Sequence, residues 1–138
     1  MVVPEAYNAL TAQFVDACYH VHRAMGPGLL EGVYERCVEW ELRKRGLEVE
    51  SQKPIDVRYG DLVLPAAFRV DLLIGDGRGH QIVGELKCHA QMPPVFHAQV
   101  ISYLRLLNLP VGLLVNFHNT YFKEGVSRLL NVTWKPGE

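Results

Sequence analysis

Phe68 to Cys88 reads FRVDLLIGDGRGHQIVGELKC. Two runs with apolar residues at every second position flank Gly75-Asp76-Gly77-Arg78-Gly79, the pattern of two strands joined by a glycine-rich turn. Phe68, Val70, Leu72 and Ile74 on the first run, and Ile82, Gly84, Leu86 and Cys88 on the second, share a face that is almost wholly apolar. That face is expected to be buried. With the hairpin symmetric about Arg78, Asp71 lies opposite Glu85 on the other face, and Lys87, two residues further, projects from the same side. Directly opposed side chains have Cβ atoms roughly 4.5–5.5 Å apart. Two carboxylates at that spacing repel unless a cation sits between them. Leu73 and Val83 share their face, so the polar trio is expected in a partly covered cleft.

The flanking sequence extends this hairpin into a mixed α/β chain. Pro4 suits the first turn of a helix whose apolar positions are Leu10, Phe14, Cys18, Val21 and Met25. Gly26-Pro27-Gly28 ends it. A second helix is predicted from about Leu29 to Arg45, closed by Gly46. Val49–Gln52 and Pro54–Tyr59 read as short strands, Gly60-Asp61 as a two-residue turn, and Leu62–Leu64 as its return. After the central hairpin, Pro93-Pro94 opens a third helix through Asn108, and Val111–Phe117 reads as a buried strand. The tail from Tyr121 to Trp134 is ambiguous, with a further edge strand as one outcome. Helices and strands in this order predict an α/β sandwich.

The chain has 138 residues, enough for one domain over 1–138 and too few for two. It has no apolar run of about 18 residues and no visible secretory signal. Its three cysteines, Cys18, Cys37 and Cys88, lack a metal or redox spacing. Packed thiols in a reducing cytoplasm are the expectation. The net charge of −1 shows no basic excess, so any nucleic-acid binding needs a local patch, a metal or an oligomeric surface.

Three further positions carry information. At about 100° per residue, Glu31 falls inside the apolar stripe of the second helix, with Leu30, Tyr34, Val38 and Leu42. A carboxylate there is costly unless paired, hydrogen-bonded or metal-bound. Glu41 falls in the same stripe, so Glu31 is not unique by this test. Gln99 and Tyr103, four apart, share one side of the third helix.

Gly28-Leu29-Leu30-Glu31-Gly32-Val33-Tyr34 resembles the motif that names the GxxExxY family of the PD-(D/E)XK nuclease superfamily. Asp71 followed by Glu85-Leu86-Lys87 resembles that superfamily's D…ExK core, with Val70 where a proline often stands. Gln99 and Tyr103 resemble the helix motif of its RecB-like and lambda-exonuclease-like branches. The resemblance implies a restriction-endonuclease-like sandwich, a central mixed sheet flanked by helices. It also implies a nuclease acting on DNA or RNA. Asp71, Glu85, the backbone carbonyl of Leu86 and Glu31 would hold Mg²⁺ or Mn²⁺, with Lys87 acting on water or on developing charge. Gln99, Tyr103 and Tyr34 would serve the substrate or support the ligands.

Simpler readings stand beside these. Glu85 with Lys87, and Asp71 with Arg69, make plain ion pairs. Glu31 complements a helix dipole. Tyr103 serves equally as a core-edge aromatic. A silent module for binding or assembly, and a hydrolase of small nucleotides, are the rival functions. Homo-oligomerisation is left open.

Overall fold

The computed structural model describes residues 1–137. Leu10, Phe14, Cys18 and Val21 recur at helical spacing, and all are buried on one side of α1 (Glu5–Met25). Met25, expected in that stripe, is exposed at the helix end. Gly26 and Gly28 take the left-handed backbone that lets the chain reverse into α2 (Glu31–Lys44). Tyr34 closes this corner from inside. Its hydroxyl donates to the Gly26 carbonyl and accepts from Leu29 N–H at 3.1 Å, while its ring stacks on Phe117. Gly46, also left-handed, follows α2 as expected.

Five strands follow: β1 (Glu48–Tyr59), β2 (Leu62–Gly75), β3 (Gln81–Lys87), β4 (Val111–Asn116) and β5 (Val126–Leu130). They lie side by side in sequence order. Only β3 and β4 run parallel, and α3 (Val95–Leu107) makes the crossover between them. β4 is buried along its whole length, as a strand covered on both faces must be. The ambiguous tail resolves into β5 on the sheet edge, antiparallel to β4. α1 and α2 cover one face of the sheet over Leu72, Ile74, Ile82, Leu86 and Leu113. α3 covers the other over Val70, Leu73, Val83 and Leu114. This is the α/β sandwich expected. Among the described residues, no helix is long and apolar enough to cross a membrane.

The central hairpin has the register predicted, with Leu72 facing Gly84 and Ile74 facing Ile82. Two expectations are corrected. The run Val49–Tyr59 is one strand, not two; β1 is a sheet edge, where Pro54 removes no needed ladder bond. Phe68 and Val70 also leave the face of Leu72 and Ile74 and pack under α3. The alternation breaks where Gln52 of β1, between Ser51↔Leu72 and Lys53↔Val70, takes a left-handed φ of 50°. A left-handed residue inside an extended strand twists the ladder locally.

Gly84 is where sheet and α1 meet most closely. A Cβ there would stand 2.6 Å from Cζ of Phe14 and 2.9 Å from its Cε1. Gly84→Ala is expected to destabilise the fold by about 1–3 kcal/mol through overpacking, measured by urea unfolding. An unchanged midpoint would show that Phe14 swings aside freely.

Candidate active site

The β2–β3 ladder ends at Leu72↔Gly84, one pair short of Asp71 and Glu85. Carboxylates take over the next bonds. Asp71 N–H donates to Glu85 Oε1 at 3.1 Å, and Leu86 N–H donates to Asp71 Oδ2 at 2.9 Å. The strands are therefore held together by side chains at the point where they part, and the charge of Asp71 acts on the Glu85 carboxyl.

Glu85 is only 5% exposed. Burial, and next the charge of Asp71, push its carboxyl up to about 9, against which the nearby Lys87 pulls weakly. Raised this far, the Glu85 carboxyl keeps its proton at neutral pH, as an acid buried beside a like charge does. Two carboxylates that need either a proton or a cation suit a hard divalent ion, which wants a few protein oxygens and retains waters. The donor set fits such an ion. Among the described residues, no group of three or more His, Cys, Asp or Glu stands ready as a complete cage.

Lys87 lies across from Asn116 of β4, and its Nζ is 4.4 Å from the ring centroid of Phe96. That cation–π contact fixes the ammonium, whose charge lowers the Glu85 pKa slightly against the other causes. Tyr103 stacks on Phe68 with ring centroids 4.4 Å apart. Burial raises its phenol pKa, and the charges of Glu85 and Asp71 raise it further. Tyr103 is thus both a core-edge aromatic and a neighbour of the acid pair. Gln99 is exposed one turn earlier on α3.

The structure sorts the α2 residues differently from the helical wheel. Glu31 is the first residue of α2, its side chain is 41% exposed, and its carboxylate lies 3.7 Å from His89 Nε2. It is not buried in the stripe, and Leu30 before it is exposed. Glu41 is half-buried and pairs with Arg45 at 3.4 Å. Tyr34, expected to serve the substrate or support the ligands, is fully buried in the α1–α2 corner and packs there. Leu86 is buried and gives its N–H to Asp71.

Two residues that sequence reasoning missed join the acids. Glu35, one turn after Glu31, accepts from Gln52 Nε2 at 2.9 and 3.1 Å. The same amide donates to Asp71 Oδ1 at 3.3 Å. Burial raises the Glu35 carboxyl pKa, the Gln52 bond opposes this, and Asp71, Glu39 and Glu31 add to the rise. Its position four residues after Glu31 was the available signal.

A concavity of about 860 Å³ lies elsewhere, between α1 and the segment Thr120–Arg128. It is lined mainly by apolar groups such as Val15, Tyr19 and Phe122 and holds none of the acid pair. Charge and geometry, rather than cavity size, mark the site.

Comparison with known proteins gives a consistent answer. No curated protein matches the chain. The crystal structure of SSO0001 is similar, with a TM-score of 0.55 and 19% identity over 90% of this chain. The chain spans 59% of that protein's length, and the likeness shows the fold alone. The family model for the PD-(D/E)XK nuclease superfamily matches residues 8–129, nearly the whole chain and every acid described above. PD-(D/E)XK nucleases generally use divalent metals. The chain belongs to the PD-(D/E)XK nuclease superfamily.

Proposed function

We propose that this protein is a Mg²⁺- or Mn²⁺-dependent phosphodiesterase that cleaves DNA or RNA, of the GxxExxY type and akin to the RecB-like branch. The observation that carries the reading is the buried Glu85 beside the half-buried Asp71, each carboxylate accepting a backbone N–H at the point where the two strands part, with Glu85 pushed up to about 9 by burial and by its neighbour's charge. Asp71 and Glu85 would hold the ion. Bound there, it would supply Lewis-acid charge to a phosphate and acidify water. Lys87, fixed over Phe96, would orient the attacking water or neutralise charge growing on the phosphate. Gln99 and Tyr103 offer a polar side chain and a phenol on the α3 side for the substrate strand. The three cysteines are unpaired, which supports a reducing cytoplasm as the location. A small nucleotide is the second substrate reading, favoured by the net charge of −1.

The test couples binding to protons. Below about pH 9 a cation entering the pair must displace the proton on Glu85. Mn²⁺ affinity measured calorimetrically should therefore rise about tenfold per pH unit between pH 6 and 8, with close to one proton released. Cleavage of single-stranded, double-stranded and branched substrates, and of nucleotides, is then assayed with Mg²⁺ and Mn²⁺. Affinity independent of pH, or a chain that cuts none of them, would remove the reading.

A further inference from the structure

Gln52 stands out because its backbone and its side chain make opposite demands. It lies in β1 with a φ of 50°, a conformation that glycine adopts with far less strain. No glycine is there. Instead the amide of Gln52 reaches Glu35 at 2.9 and 3.1 Å and Asp71 at 3.3 Å, and its carbonyl accepts from Arg69 at 3.3 Å. Only a donor can bridge two carboxylates, so the NH₂ end of the amide must face them. A strained non-glycine residue held by polar contacts at a candidate site is the usual mark of a functional constraint.

Asp71 is then gripped at both oxygens. Leu86 N–H binds Oδ2 and Gln52 Nε2 binds Oδ1, which fixes the plane of the carboxylate that meets Glu85. We infer that Gln52 is a positioning residue of the active site, which orients Asp71 and ties Glu35 of α2 to the same acidic centre. This rests on the proposed metal-dependent reaction. Residues that orient a ligand typically contribute 10–100-fold to metal affinity or activity. Gln52 acts through Asp71 and needs no contact with substrate.

Gln52→Gly separates the side chain from the backbone, because it removes the amide while relaxing the left-handed position. We expect the apo protein to melt at the same temperature or higher, and Mn²⁺ affinity by calorimetry to fall about tenfold or more. Cleavage should fall alongside at limiting Mn²⁺ and recover at saturating Mn²⁺. Wild-type Mn²⁺ affinity in Gln52→Gly would overturn the positioning role while leaving the nuclease reading intact. A lowered apo melting temperature, with cleavage that saturating Mn²⁺ does not restore, would make Gln52 a structural residue only. A wild-type protein that binds no Mn²⁺ would overturn the nuclease reading, and this inference with it.

Discussion

Glu85→Gln is expected to lower turnover by a factor on the order of 10²–10³ and to remove most Mn²⁺ affinity, while the apo protein folds as before. Apo Glu85 is raised to about 9, so at neutral pH it already carries a proton. Glutamine copies that neutral shape but cannot ionise to receive a cation. The same shift predicts a pH-dependent difference in stability. An unfolded glutamate loses its proton near pH 4.3. Between there and about 9 the native chain holds a proton that the unfolded chain does not, so this group's contribution falls as pH rises. The loss is at most about 1.4 kcal/mol per pH unit. A glutamine side chain carries no such slope. Melting curves from pH 5 to 9 should therefore show the variant gaining on the wild type as pH rises. Parallel curves, together with intact Mn²⁺ binding, would reduce Glu85 to a structural acid.

Lys87→Ala should lower turnover by about 10² or more with little change in Mn²⁺ affinity, since the ammonium acts at water or at developing charge. Its contact with Phe96 adds about 0.5–1 kcal/mol of stability that the variant would lose. Lys87→Arg is not expected to restore turnover, because a planar guanidinium does not stand in for the compact point charge of an ammonium. Single-turnover cleavage at saturating Mn²⁺ measures the effect. A matching collapse of Mn²⁺ affinity would mean that Lys87 chiefly offsets the charge of Asp71 and Glu85.

Much of the architecture was legible in the chain, because strand alternation and turn chemistry are local. The run from Leu72 to Gly84 carries its own register, and just beyond its end Asp71 N–H bonds the Glu85 carboxylate. The glycines at 26, 28 and 46 mark the helix ends through backbone conformations that other residues avoid. Period alone misplaced Glu31, because a helical wheel does not say where a helix starts. α2 begins at Glu31 itself, so its inward stripe starts at Tyr34.

The rest was decided by contacts between segments distant in sequence. Counting back from the turn at Gly60-Asp61 would set Gln52 against Arg69. Instead the irregularity at Pro65–Ala67 shifts the pairing by two residues, clasped by Asp56 Oδ1 accepting from Ala66 N–H at 2.8 Å. That shift puts Gln52 beside Asp71, and α2 then lays Glu35 against the same Gln52 amide. The two-layer covering of the sheet and the opposition of Asp71 and Glu85 could be read from residue order, since both follow from short-range periodicity. Which helix carboxylate shares an amide donor with Asp71, and which strand residue supplies that amide, could not, because a bulge and a helix start are settled by packing across the whole fold.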